Sequence, residues 1–217
     1  MPGLRERAAW RLNKRRLVRA SRLVYQWGTW GDTRWLDATV AKNPLDLWVM
    51  QEIVAETRPE VIIETGTYRG GSALFFASLC DLLGNGEVIS VDIEPTRDDY
   101  PAHERITYLA GRSSIDPDVV DDVRARVGDR RAMVVLDSDH SAEHVAVELA
   151  AYAPVVSVGC YLIVEDTNVD DVRPDLPTGP LLAIHDFLAG TQDFVVDSAR
   201  EKWVITFNPG GFLKRVA

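Results

Sequence analysis

The segment Val61-Ile-Ile-Glu64-Thr-Gly66-Thr-Tyr-Arg-Gly70-Gly71-Ser72-Ala73 constrains this chain more than any other. A short apolar run ends in a carboxylate and passes directly into glycines that open a helix. Glycines let the backbone turn tightly and come close to a ligand, and the free N–H groups at the start of the following helix favour an anionic or carboxylate-bearing group. Twenty-eight residues beyond Glu64, the run Val88-Ile-Ser-Val-Asp92 ends in a second carboxylate, suitably placed for a ribose diol. The pair reads as a Rossmann-like nucleoside site.

The glycine spacing separates the possible nucleosides. A dinucleotide fingerprint reads G-x-G-x-x-G, whereas this chain has Glu64-x-Gly66-x-x-x-Gly70-Gly71. A carboxylate at the strand end repels a pyrophosphate but accepts hydrogen bonds from the amino group of a methionyl moiety. The spacing resembles the acidic loop of class I S-adenosylmethionine (SAM) methyltransferases. A glycine-rich turn that binds nothing is the alternative, and Asp92 weighs against it.

At 217 residues the chain suits one large domain with a helical extension. From Glu60 onward, strands alternate with helices. Strands are predicted at Val61 to Glu64, Glu87 to Asp92, Ile106 to Leu109, Ala132 to Asp137 and Cys160 to Glu165, with helices at Gly71 to Leu83, Pro117 to Val127 and Ala142 to Tyr152. Helix Pro180 to Leu188 and strands Phe194 to Asp197 and Lys202 to Phe207 complete the pattern. It predicts an α/β fold: a mostly parallel seven-stranded sheet with helices on both faces. Residues 1–58 are read as a separate helical segment and 59–217 as the nucleoside-binding domain. Lys42-Asn43-Pro44 caps a helix running to about Arg58.

The net charge of −9 hides an asymmetry. Eight basic residues face only Glu6 in the first 22, which leaves +7 there and −16 in the remainder. The basic stretch is read as a helix that docks on an acidic body or a neighbouring subunit, with a membrane surface as the alternative. The acidic main body argues against general nucleic-acid binding. No apolar run reaches the length of a membrane span and no signal-peptide order is present, so a cytoplasmic protein is expected. Cys80 and Cys160 are isolated in apolar segments and read as buried free thiols.

Two later strands end in acids: Met133-Val-Val-Leu-Asp137-Ser-Asp-His140 and Tyr161-Leu-Ile-Val-Glu165-Asp166. In an open parallel sheet these ends face the same crevice as the glycine loop. Clustered carboxylates there call for cations, hydrogen bonds or a metal. Asp137, Glu165 and Asp166 form an oxygen-rich set for a hard divalent ion such as Mg2+. His140 is then the candidate general base and Asp137 its catalytic companion. Solvated caps are the competing reading, with Ser138 or Asp139 capping the next helix. The order His140-Ser-Ala-Glu143-His144 also matches an inverted zinc-peptidase motif, but His140 lies at a strand-to-helix junction, the wrong context for it.

Five ordered blocks resemble the cephalosporin hydroxylase and rhamnosyl O-methyltransferase family of class I SAM-dependent enzymes. They are Lys42-x-Pro44-x-Asp46-Leu-Trp48, Ile63-Glu64-x-Gly66-x-x-x-Gly70-Gly71-Ser72-Ala73, Leu136-Asp137-Ser-Asp-His140, Glu165-Asp166 and Asn208-Pro-Gly-Gly211, within a similarity spanning roughly Trp30 to Arg215. The resemblance implies SAM held by Glu64, Gly66, Thr67, Tyr68, Gly70 and Ser72, with Asp92 and Ile93 beyond the next strand. It places adenine near Gly111 to Ser113 and Asp137 beside the cofactor. It also implies a divalent ion on Asp137, Glu165 and Asp166, a homo-oligomer, and hydroxylated sugars or natural products as acceptors. The expected activity is O-methylation of a sugar or antibiotic-type metabolite, with Trp27, Trp30, Trp35 and Trp48 as possible stacking surfaces. Its rivals are a catalytically silent SAM-binding partner and a metal-dependent hydroxylase. No H-x-D with a distant histidine supports the latter.

Overall fold

The strand Val61–Thr65 is buried at every residue, as expected for a central parallel strand covered on both sides. It anchors a computed structural model that describes residues 4–173 and 178–217, without the side chains of residues 4–12, 14 and 15. The helices are α1 Leu4–Trp27, α2 Pro44–Thr57, α3 Gly71–Leu83, α4 Pro117–Val127, α5 Ala142–Tyr152, α6 Val169–Val172 and α7 Pro180–Gly190. The strands are β1 Arg34–Trp35, β2 Ala38–Thr39, β3 Val61–Thr65, β4 Glu87–Asp92, β5 Ile106–Ala110, β6 Ala132–Leu136, β7 Tyr161–Val164, β8 Phe194–Val196 and β9 Phe212–Arg215.

Seven strands form one sheet in the order β5-β4-β3-β6-β7-β9-β8, with helices around it. Strands β5 to β7 run parallel, and β9 enters antiparallel to both β7 and β8. The chain passes from β3 outward to β4 and β5, then returns to place β6 on the other side of β3. That reversal opens a crevice at the carboxyl ends of β3, β4 and β6, where ligands of such sheets bind. Ile62, Ile63, Met133, Val134, Leu162 and Ile163 form the fully buried centre of the core. Cys80 and Cys160 are buried within it as free thiols.

The last strand is not where the sequence pattern put it. Lys202 to Phe207 reads as a β-run, but Val204 has a left-handed backbone with φ 67° and the stretch is non-strand. Phe207 N–H donates to Asp46 at 2.8 Å, and the Phe207 carbonyl accepts from Asn168 N–H at 3.1 Å. These bonds tie the segment to α2 and α6, and the strand begins only after the Gly210-Gly211 turn. The small β1–β2 hairpin was not anticipated. It packs against the start of α3, where a Cβ on Gly71 would overlap the Thr39 carbonyl.

The helix α1 carries the basic stretch; Arg22 pairs with Asp171 of α6 at 2.7 Å. The side chains of Arg5, Arg7, Arg11, Lys14 and Arg15 lie outside those described. No helix of the described residues is long and apolar enough to cross a membrane.

Candidate active site

The turn after β3 is built for close approach. Gly66 has φ 88°, and a Cβ there would overlap the backbone carbonyl of Asp137. The tip of β3 can therefore lie directly against the end of β6, which only glycine permits. Gly66 N–H donates to Val91 O at 2.8 Å and Asp137 N–H donates to Thr65 O at 3.0 Å, locking three strand ends together. Tyr68 takes a left-handed φ of 51°, so its ring projects outward and is exposed.

Asp92 is held at the mouth by two backbone donors, Tyr68 N–H to Oδ2 at 2.9 Å and Glu94 N–H to Oδ1 at 2.8 Å. A cavity of about 620 Å³ opens beside it, lined by Gly66, Tyr68, Asp92, Ile93, Ser113 and Asp137 among the residues expected for the cofactor. Ser114, Ser138, Asp139 and His144 complete the wall on the side of β6 and α5. Glu64, Thr67, Gly70, Ser72 and Gly111 do not line this cavity. Thr67 Oγ1 and Ser90 Oγ share a hydrogen bond at 2.8 Å beneath it, and Gly70 shapes the turn into α3.

Glu64 is fully buried. Burial pushes its carboxyl up to about 7, against the pull of Lys42 and of hydrogen bonds from Ser72 and Ser90. Ser90 Oγ donates to Oε2 at 2.8 Å, while Oε1 has no partner. A buried carboxylate oxygen without a donor is costly. An ammonium donor such as the methionyl amino group would satisfy it, so the site fits SAM chemically.

The acids at the ends of β6 and β7 share one buried cation. Lys42 Nζ donates to Glu165 Oε1 at 2.6 Å and to Asp137 Oδ2. Burial alone would lower the lysine's pKa; Asp137, Glu165 and Glu64 outweigh it and hold the ammonium charged. Glu165 is itself pushed upward by burial and by Asp137, with Lys42 opposing.

Asp137, His140 and Asp166 each offer a ligand atom within 4.8 Å of the others. His140 Nε2 lies 3.5 Å from Asp166 Oδ2. Asp166 has a left-handed φ of 50°, and its N–H donates to Asn208 Oδ1 at 2.9 Å. Asn208 thus explains the Asn208-Pro-Gly-Gly block: it fixes the turn that aims Asp166. Burial and Asp137 raise Asp166 to about 6, with His140 opposing. Two carboxylates and an imidazole suit a divalent ion. The geometry differs from the expected set of Asp137, Glu165 and Asp166, because Glu165 faces Lys42 and His140 comes within ligand reach instead.

Ser141, not Ser138 or Asp139, caps α5 by accepting from His144 N–H at 3.4 Å. His144 Nε2 lies 3.6 Å from Glu148 Oε1 and is not part of the acid and histidine cluster around His140, in keeping with the zinc-peptidase order being accidental. Trp30 stacks on Tyr25 at 5.2 Å, and Trp35 meets Phe75 edge-on at 5.0 Å, which makes both packing residues. Trp27 and Trp48 are exposed. Lys42, Tyr25, His144 and Glu148 were not singled out as site residues. Tyr25 lies close enough to Asp166 and Asp137 that they add to the burial raising its phenol to about 12.

The fold is that of class I SAM-dependent methyltransferases, and the relatives below make the chain a SAM-dependent O-methyltransferase. Comparison with known proteins makes the family specific: residues 27–216 match the family described as rhamnosyl O-methyltransferase/CmcI, and the chain belongs to it. The rhamnosyl O-methyltransferase of Mycobacterium leprae is 35% identical over 193 residues, covering 86% of this chain and 84% of that protein. Its namesake from Mycobacterium tuberculosis is 34% identical over 194 residues, covering 86% and 79%. A solved Mg-SAM structure of CmcI has a TM-score of 0.68 at 24% identity, covering 86% of this chain and 78% of that one.

Proposed function

We propose that this protein transfers the SAM methyl group to a hydroxyl of a sugar or glycosylated secondary metabolite, assisted by a divalent ion at the acid and histidine cluster. One observation carries the reading: Asp137 lines the cofactor cavity and also belongs to the cluster with His140 and Asp166. Methyl donor and hydroxyl activation therefore meet at one residue. The 35% identical rhamnosyl O-methyltransferase supports a sugar acceptor.

When bound, SAM supplies an electrophilic methyl on a good leaving group, and a divalent ion supplies positive charge that lowers the pKa of a nearby hydroxyl. The protein's own residues do the rest. Asp92 would hold the ribose and Glu64 the methionyl ammonium, fixing the reacting end of the cofactor. With His140 Nε2 turned to Asp166, Nδ1 is the nitrogen left to accept the acceptor's proton. Asp166 then stabilises the imidazolium. Holding acceptor oxygen and methyl group in line supplies most of the rate. Asp137 and Asp166 would hold the ion, which leaves His140 free to act as the base.

Residues 1–58 act in this reading as the acceptor-side layer over a cofactor domain of residues 59–217. Lys42 and Tyr25 reach the acids from that layer. A homo-oligomer working in the cytoplasm is part of the same reading. The test is methyl transfer from isotopically labelled SAM to a panel of rhamnosides and other glycosides, with and without Mg2+. Label in a glycoside hydroxyl is the expected result. A product hydroxylated in an iron-dependent, SAM-independent reaction would favour the hydroxylase rival.

A further inference from the structure

On the far wall of the cofactor cavity, α5 supplies a carboxylate that the methyl-transfer chemistry does not use. Glu148 is fully buried. Its Oε1 accepts from Ser114 Oγ at 2.6 Å and from Ser138 Oγ at 2.8 Å. Both serines line the cavity, and so does His144, one helical turn before Glu148. His144 Nε2 lies 3.3 Å from Ser114 Oγ, 3.2 Å from Ser138 Oγ and 3.6 Å from Glu148 Oε1.

Proton counting fixes the tautomer. Each serine has one hydroxyl hydrogen, and each gives it to Glu148, so both hydroxyls offer Nε2 only lone pairs. Nε2 must therefore carry the ring hydrogen, and in the neutral ring Nδ1 is left as an acceptor. Among the described residues Nδ1 makes no hydrogen bond. The same cavity is lined by Ser113, in the stretch where adenine is expected, and by the exposed Ile93, expected to contact the cofactor.

We propose that His144, its tautomer set by Glu148, Ser114 and Ser138, is a specificity residue that accepts a hydrogen bond at Nδ1 from the exocyclic amino group of the cofactor's adenine. The inference rests on the reading that this cavity holds the nucleoside. A 6-amino purine presents a donor to Nδ1, whereas a 6-oxo purine presents a second acceptor. Sites that hydrogen-bond a polar substituent discriminate strongly against ligands lacking it, because the protein group is left unpaired. Glu148 acts through the ring and is a positioning residue. Its hydrogen bond also raises the imidazole's pKa, so a test of the neutral ring belongs on the alkaline side.

The experiment is calorimetric titration at about pH 9 with S-adenosylhomocysteine and with its deaminated counterpart, S-inosylhomocysteine. The wild-type protein prefers the adenine ligand by at least about tenfold, the worth of one hydrogen bond to a buried partner. His144→Ala weakens the adenine ligand and brings the two affinities within about threefold of each other. His144→Asn, whose amide oxygen can stand where Nδ1 stood, restores part of the preference, and thermal melts establish that each variant is folded. Equal weakening of both ligands in His144→Ala, with the preference intact, would overturn the assignment. So would a wild-type protein with no preference. Failure of the wild-type protein to bind either ligand would instead remove the nucleoside reading, and this proposal with it.

Discussion

Lys42 Nζ lies 2.6 Å from Glu165 Oε1, a pairing made across 123 residues of chain and shared with Asp137. Lysine and glutamate are 4% and 5% exposed, so the ion pair is shut away from water. It joins the segment before α2 to the ends of β6 and β7. Three features of the Lys42-x-Pro44-x-Asp46 block follow from one docking: Lys42 meets the acids, Asn43 caps α2 by accepting from Leu45 N–H at 3.1 Å, and Asp46 holds Phe207 N–H.

Removing one member of a buried ion pair leaves the other charges uncompensated. Lys42→Met is expected to lose on the order of 3 kcal/mol of stability in chemical denaturation. Added Mg2+ should recover more stability in this variant than in the wild-type protein, because a bound cation replaces the missing ammonium. An unchanged denaturation midpoint would show that the pair does not hold the acids together.

Glu64 sets a pH dependence whose sign is fixed. Its carboxyl stands at about 7 in the folded protein against an ordinary value of 4.5. Between those values the unfolded chain has released the proton and the folded protein retains it. Stability contributed by this group is therefore present at low pH and lost as pH rises through that window, by an amount on the order of 3 kcal/mol. Glu64→Gln should flatten the slope of stability between about pH 4.5 and 7 and weaken SAM at least about tenfold. A steeper slope would contradict the assignment.

His140 touches neither Glu64 nor Asp92, so its role separates from cofactor binding. His140→Ala should keep the wild-type SAM affinity and lower kcat by about a hundredfold or more. Full activity in the variant would assign the proton transfer elsewhere.

Asp137 belongs to both halves of the site. Asp137→Ala should abolish stimulation by Mg2+ and also weaken SAM, whereas chelator treatment of the wild-type protein should lower turnover alone. Turnover unaffected by chelator would remove the ion from the mechanism.

The sheet was legible because its strands are buried on both sides and read as continuous apolar runs, with glycine and acid marking their ends. Asp92 and Gly66 were legible for the same reason: position at a strand end dictates what they face. The misread run at Lys202 to Phe207 has strand composition, but its hydrogen bonds go to Asp46 and Asn168, partners remote in sequence. Lys42 gave no local signal, since its acids lie 95 and 123 residues away. His144 and Glu148 are spaced i, i+4 on α5, a pattern shared by many solvated helix pairs. Only burial against Ser114 and Ser138 distinguishes them.

The central claim is most directly tested by calorimetric titration of the purified protein with SAM, with and without Mg2+, alongside Asp92→Ala. The account predicts saturable SAM binding by the wild-type protein and at least about tenfold weaker binding by Asp92→Ala, which loses its grip on the ribose. No SAM binding under either condition would contradict it.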